Sequence, residues 1–379
     1  MPSFAKHAML PTATPEEQSR EDFVRQLSLL LEVNLRPGLR QLYQQQVAPA
    51  LEKMVGRSPT HKDIAAAMRK VPANQAWYAL RTYNQERMHG LAAAMVDRQL
   101  PALMVRAEAN QTIGSLTLDP AVEMPRYLTA QDIHRSPGGY HREQVKNDLS
   151  VGAAYDRVIS VHSMGSQGAY NDDAGKSVAS WLKNNHADFH PRHILDLGCT
   201  IGHFTLPFKE IFDAAHVVGI DVAAPCLRYA HARANALGVE AHFQQANAEA
   251  MPFEDEAFDL IVSRQFLHET SKPALKNVFR ECYRLLKPGG IMLHQDAPQF
   301  DELDPYTASL RDWDIHFNNE PFMAACYELP LEELYVAAGF VPANTFRAFT
   351  PSLFFAANRV DKHATRSAGG RYFLSGAAK

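Results

Sequence analysis

One stretch constrains this chain more than any other: His193-Ile194-Leu195-Asp196-Leu197-Gly198-Cys199-Thr200-Ile201-Gly202-His203-Phe204. Ile194, Leu195 and Leu197 read as the end of a buried strand, with Asp196 just before a turn. Gly198 and Gly202 allow a tight turn and a close approach of backbone to a ligand. Phe204-Thr205-Leu206 then opens a helix. An acid, a turn of small residues and a helix start build a nucleotide-type crevice at the carboxyl end of a first parallel strand. The spacing fits the dinucleotide pattern G-x-G-x-x-G poorly.

The segments that follow repeat a strand-helix alternation. Val217-Val218-Gly219-Ile220-Asp221 is a buried strand ending in an acid. Asp221 stands at the offset from the loop, about twenty residues, that suits a carboxylate gripping two ribose hydroxyls. Ala241 to Gln245 is a third strand and leads into Asn247-Ala248-Glu249. Phe258-Asp259-Leu260-Ile261-Val262-Ser263 is a fourth, with Arg264, His268 and Glu269 at its end. Arg284-Leu285-Leu286-Lys287-Pro288-Gly289-Gly290 turns into a fifth, Ile291 to Gln295.

Taken together, the motifs of residues 150 to 358 resemble the class I S-adenosylmethionine methyltransferases of the small-molecule type. Thr200 stands where that family's first motif has its middle glycine. Phe258-Asp259 and the run Arg284 to Gly290 are similar to the family's segments around strands four and five. The resemblance implies an α/β fold: a Rossmann-like, seven-stranded, doubly wound sheet preceded by an all-helical domain. It implies S-adenosylmethionine as cofactor, bound by Asp196, Gly198, Cys199, Gly202, Asp221, Val222, Asn247, Ala248, Glu249 and Arg264. Asn247 replaces the family's aspartate at the adenine amino group and keeps an accepting oxygen. Ala248 would offer backbone to the adenine edge. The resemblance also implies substrate-side contacts from the segment before the glycine loop, where Tyr155, His162, Met164 and Gln167 are the candidates. His268 and Glu269 lie over the donor, and His268 is the candidate catalytic group.

The implied reaction is in-line displacement of the donor methyl onto an oxygen, nitrogen or sulfur of a small metabolite. The donor is already activated, so placement is the protein's main task. A hydroxyl acceptor also needs a base or a metal. The alternatives are a protein or nucleic-acid methyltransferase, a nicotinamide oxidoreductase, or a protein that binds the donor without transferring methyl. The [DN]-P-P-[YF] signature is absent after strand four. Asp196 and the Gly198/Gly202 spacing disfavour a nicotinamide cofactor.

Composition narrows the partners. The chain has 379 residues, 46% hydrophobic and 21% charged, with a formal net charge of -4 and no long basic run. A small-molecule substrate is expected and nucleic acid is not, since phosphate binding needs concentrated Lys and Arg. No apolar stretch is long enough to span a bilayer. The 4 cysteines form no C-x-x-C pair, which suits a reducing cytoplasm. No metal is expected. His186, His190 and His193 precede the first strand, away from the crevice, and no H-E-x-x-H occurs. His268, Glu269 and Asp296 are the residues near strand ends that would hold a cation.

The expected organisation is a flexible N-terminus over 1–20, a helical domain over 21–125, a bridging segment over 126–192 that covers the donor, and a donor-binding domain over 193–360. Within the last, 301–329 is longer than a connection needs and reads as a substrate lid, with Trp313 and His316 as further substrate-side candidates. Residues 361–379 read as a mobile tail. In the helical domain, Pro37-Gly38 ends a first helix and Pro49 is placed to kink a second. Thr60 caps the next, with Asp63 completing a capping box. A long helix runs from about Ala73 to Arg98, weakened at Gly90. No strand is read there. The helical domain is expected to cap the substrate pocket or to pair two copies as a homodimer. Strands at Asn344–Phe349 and Ser352–Asn358 would close the sheet.

Overall fold

Five parallel strands run in the order in which the sequence alternation places them. The computed structural model describes residues 6–109, 111–358 and 370–379. Its strands are β1 (Ser115–Thr117), β2 (His193–Leu197), β3 (His216–Asp221), β4 (His242–Gln245), β5 (Phe258–Arg264), β6 (Leu286–Asp296), β7 (Thr345–Pro351) and β8 (Arg371–Ala378). They form one sheet in the order β1-β4-β3-β2-β5-β6-β8-β7, parallel except where β8 runs antiparallel to β6 and β7. The chain winds outward from β2 in both directions. The switch point therefore falls between β2 and β5, where an open α/β sheet leaves a crevice at its carboxyl edge.

Successive side chains of a strand point to opposite faces. Leu195, Leu197, Ile220 and Ile261 pack on one face against the helices Lys272–Leu285 and Leu331–Ala338. Ile194, Val217, Leu260 and Val262 pack on the other, against Asp173–Asn185 and Thr205–Ile211. Burial on both faces explains why these strands read as continuous apolar runs.

Four expectations need correction. The sheet has eight strands, not seven, because Ser115–Thr117 adds a short edge strand beside β4 in the region read as purely helical. Residues Leu353–Asn358 are a helix, begun by the Ser352 hydroxyl accepting from the Phe355 amide. The last strand comes instead from the expected mobile tail, as Arg371–Ala378; residues 361–369 lie outside the described part. Its small residues are what a central strand requires here. A Cβ on Gly376 would stand 2.5 Å from both the Met292 carbonyl oxygen and the Phe346 ring.

The N-terminus, fourthly, is not a free arm. Met9 is fully buried, the Tyr229 hydroxyl donates to its carbonyl, and His7 meets Asp156 at 3.0 Å. The first helix starts at Pro15 with Thr14 and Glu17 forming a capping box. Helix then continues through Pro37 and Pro49 to Val55, with π-type turns at Leu30–Leu35 and Tyr43–Val47 just before each proline. A wider turn absorbs the hydrogen bond that proline cannot donate, so Pro37-Gly38 does not end the helix. The box at Thr60 and Asp63 forms as its spacing predicts.

The next helix runs Pro72–Ala109, eleven residues past its expected end and through Pro101. Its Leu100, Leu103 and Ala107 are buried against Leu149, Ala153 and Tyr229, so tertiary packing carries it on. Gly90 in this helix is exposed, and an added Cβ would meet nothing within 4 Å. Gly90→Ala is expected to stabilise the protein by about 0.5–1 kcal/mol. Urea unfolding should show a higher midpoint at the same slope; an unchanged midpoint would refute the point. No helix among the described residues is long and apolar enough to cross a membrane.

Candidate active site

The glycine turn after β2 sits at the switch point. Gly198, Thr200 and Gly202 all take positive φ, at 64°, 48° and 72°. A Cβ on Gly198 would come within 2.6 Å of the Phe266 ring, so that position requires glycine. Thr200 adopts the left-handed conformation without being glycine. Its amide donates to Asp221 Oδ2 at 3.0 Å, while Asp221 Oδ1 accepts from the Ala223 amide at 2.9 Å. The Asp221 carboxylate is thus fixed at the end of β3, half-buried and facing the cavity. Burial pushes its carboxyl above the usual range, against the lowering effect of those amides.

A cavity of about 380 Å³ opens from this corner, within the range of small-molecule sites. Its side beside the glycine turn is lined by Gly198, Thr200, Asp221, Val222, Asn247, Ala248 and Arg264. Asn247 Oδ1 accepts from the Glu249 amide at 2.9 Å and keeps a second lone pair. Arg264 reaches Gln167 Oε1 at 3.0 Å and His203 Nε2. Its Nε is buried without a hydrogen-bond partner, and no carboxylate among the described residues pairs with it. A guanidinium whose charge no carboxylate offsets favours an anionic group beside it.

The far wall comes from three other places in the chain. His268 and Glu269 follow β5, His134 and Tyr140 lie in the bridging segment, and Glu320 and Tyr327 lie in the 301–329 segment. His268 Nδ1 meets Asp296 Oδ1 at 2.7 Å, and its Nε2 lies 3.6 Å from Glu320 Oε2. Burial pushes the His268 ring down, but the Asp296 and Glu320 carboxylates outweigh it and hold the ring above its ordinary value. Left with these partners alone, His268 keeps its proton at neutral pH and is not a free base. Arg81, Gln85 and His89 of the helix Pro72–Ala109 complete the enclosure.

Residues 194–290 match the family model described as a methyltransferase domain. Among curated proteins, phosphoethanolamine N-methyltransferase 1 of Arabidopsis thaliana is 40% identical over 104 residues, 27% of this chain and 20% of its own length. Demethylmenaquinone methyltransferase of Thermus thermophilus is 37% identical over 108 residues, 28% of this chain and 48% of its own. This chain thus spans about half or less of the length of these curated relatives. A solved structure from Nostoc punctiforme, provisionally an O-methyltransferase, covers 97% of this chain and 100% of its own at 13% identity, with a TM-score of 0.46. Residues 194–290 are a class I methyltransferase domain.

Not every residue singled out from the sequence reaches the cavity of this methyltransferase domain. Tyr155, His162, Met164, Gln167, His268 and Glu269 line it, as do Gly198, Asp221, Val222, Asn247, Ala248 and Arg264. Asp196, Cys199, Gly202 and Glu249 do not. Asp196 stands behind the turn, accepting from the Thr205 hydroxyl at 2.6 Å, and burial pushes its carboxyl up to about 7. Cys199 is a buried thiol, as are all four cysteines. Gly202 backs onto Phe243, and Glu249 points outward to Tyr127 and Asn277.

Trp313 and His316 are corrected more firmly. Trp313 is buried under Arg81, whose guanidinium carbon lies 3.8 Å from the indole centroid, and its Nε1 donates to Tyr78 and Thr82. The His316 side chain is 51% exposed and faces Asp312. Helical periodicity explains the swap. Trp313 anchors the helix Arg311–Phe317 to the helical region, which turns Arg311 and Asp314 toward the cavity. The missed residues His134, Tyr140, Glu320 and Tyr327 carry no local motif.

Proposed function

We propose that this protein transfers a methyl group from S-adenosylmethionine to an oxygen, nitrogen or sulfur atom of a small-molecule acceptor. One observation carries the reading. Two chemically distinct ends, a donor corner and a histidine-carboxylate wall, face one cavity that the helical region and the 301–329 segment close over. The cavity's volume, about 380 Å³, is of the size that holds small molecules, which favours a small acceptor.

The donor supplies a methyl already activated by the positive charge on its sulfur. The chain's own residues would hold and orient. Asp221 offers a fixed carboxylate fork for the ribose hydroxyls, and Asn247 offers an oxygen toward the adenine edge. Arg264, which lines the cavity and whose charge no carboxylate among the described residues pairs with, would attract the carboxylate at the amino-acid end. Tyr155 and Gln167, beside Arg264, would exclude water from the reacting centre. His268 would position the acceptor atom. Placement of this kind supplies much of the acceleration in a displacement whose leaving group is already cationic.

Calorimetric titration with S-adenosylhomocysteine tests the donor site, and transfer of a labelled methyl into a metabolite extract identifies the acceptor. Arg264→Met is expected to weaken S-adenosylhomocysteine by about 10–100-fold, the worth of a charge-assisted pair. Equal affinity in the variant would remove Arg264 from the donor site. No binding to wild-type protein would overturn the whole reading.

A further inference from the structure

Holding two substrates together does not require the composition of the far wall. His134 Nε2 lies 3.3 Å from Glu320 Oε1 and 3.6 Å from Glu269 Oε1, and His268 Nε2 lies 3.6 Å from Glu320 Oε2. His134, His268 and Glu269 each offer an atom within 4.8 Å of the others'. We propose that this wall is a binding site for a divalent first-row transition-metal ion, held by His134, His268, Glu269 and Glu320.

The spacing is that of a coordination shell. Bonds of about 2.0–2.1 Å to nitrogen and oxygen give tetrahedral edges of about 3.3–3.4 Å. The gaps from His134 to Glu320 Oε1 and to Glu269 Oε1, 3.3 and 3.6 Å, are close to such edges, while Glu320 meets His268 through its other oxygen and would turn to give a single one.

Orientation is the second support. A metal-binding imidazole commonly gives its other ring N–H to a fixed partner, which aims the free nitrogen. Here His268 Nδ1 gives to Asp296, itself held by the Tyr327 hydroxyl at 3.0 Å. His134 Nδ1 lies 2.5 Å from the Tyr140 hydroxyl, and Asn318 Nδ2 donates to Glu320 Oε1 at 2.7 Å. Both Nε2 atoms are thereby left facing Glu320, and His134 Nε2 faces Glu269 as well. His134 holds this pose with φ at 55°, an uncommon backbone state for a residue other than glycine.

The donor set selects the ion. Two imidazoles with two carboxylates suit zinc, iron(II), cobalt(II) or manganese(II), whereas magnesium prefers oxygen ligands and water. All four side chains line the cavity, so the ion would keep a face toward the acceptor. It would favour acceptors that present an anionic oxygen or sulfur. That last point rests on the proposed methyl transfer; the ion site itself does not. It replaces the sequence expectation of no metal, and exchanges Asp296 as a ligand for His134 and Glu320.

The test strips the full chain with EDTA, reloads it with Zn²⁺ alone, Co²⁺ alone or Mg²⁺ alone, and measures retained metal by elemental analysis after dialysis. One equivalent of Zn²⁺ or Co²⁺ per chain is expected, and no retained Mg²⁺. The double variant His134→Gln/His268→Gln, checked for folding by circular dichroism, should lose the ion. Asp296→Asn should weaken Zn²⁺ by about 10–100-fold, as loss of an orienting partner does. His316→Ala, an exposed histidine outside the wall, should change nothing. Less than one equivalent in wild type, retention by the folded double variant, or an unchanged Asp296→Asn affinity would overturn the proposal. S-adenosylhomocysteine binding by the stripped protein is read separately, so a failed metal site leaves the methyl-transfer reading standing, and the reverse holds too.

Discussion

Asp221→Ala should weaken S-adenosylhomocysteine binding about 100-fold. The carboxylate sits at the end of β3 with two backbone amides already fixing it, so it meets a ligand without reorganising. Two hydrogen bonds to a charged acceptor, each worth about 1.5 kcal/mol at the low end, sum to about 3 kcal/mol, which is about two decades in affinity. Asp221→Asn keeps one accepting oxygen and should lose about tenfold. The same substitutions free the Thr200 amide, so melting temperature is measured alongside affinity. A large drop in melting temperature with unchanged affinity would move Asp221 from ligand binding to loop support. Unchanged affinity with an unchanged melting temperature would remove it from both.

Asp156→Ala should cost about 3–5 kcal/mol of folding stability, the penalty for leaving a buried charge without its partner. Asp156 is buried at the meeting of three parts of the chain. Its Oδ2 meets His7 at 3.0 Å, the Tyr229 hydroxyl at 2.9 Å and Arg233 Nε at 3.1 Å, while Oδ1 accepts from Asn171 at 2.9 Å. Burial pushes this carboxyl up, but the Arg233 charge and the hydrogen bonds from His7 and Asn171 outweigh it and hold it well below the usual carboxylate range. A depressed folded value means that the stabilisation is complete at neutral pH. It fades only as pH falls below the range where an ordinary aspartate protonates. Denaturant titrations of wild type and variant should therefore differ most at neutral pH and converge in acid. A neutral-pH difference below about 1 kcal/mol would show that the N-terminal segment and the donor-binding domain do not depend on this junction.

The two effects separate in an instructive way. Asp221 belongs to a motif that any reader of the sequence meets, whereas Asp156 is one acid among many in a bridging segment. The difference lies in where their partners come from. Asp221 is defined by the strand it ends and by a glycine turn some twenty residues earlier. Asp156 is defined by His7 and Arg233, which no periodicity connects to it.

The same division runs through the fold. Strands β2 to β6 were legible because a parallel strand buried on both faces must be apolar throughout, and because the glycine turn, the acid after β3 and the Lys287-Pro288-Gly289-Gly290 turn mark their ends. β8 was not legible. Arg371 to Ala378 is short-chained at Ser375, Gly376 and Ala377, which in isolation suggests a loose tail. Those residues are small because Met292 and Phe346 press on them from the neighbouring strands. The π-type turns before Pro37 and Pro49 were hidden for a related reason: proline announces a missing donor, but only the packed helix shows whether the chain breaks or widens.

At the site, the sequence by itself determined the donor corner: Gly198, Asp221, Asn247 and Arg264 follow from local motifs on successive strands. Only the tertiary structure decided what His268 and Glu269 meet across the cavity. His134, the pair His268 and Glu269, and Glu320 converge from segments separated by more than about fifty residues, and it is the docking of Trp313 under Arg81 that turns the 301–329 segment so that Glu320, not His316, faces inward. A donor pocket is built from backbone turns, whose requirements are written locally. An acceptor pocket is built from side chains, and their meeting point depends on how whole helices pack.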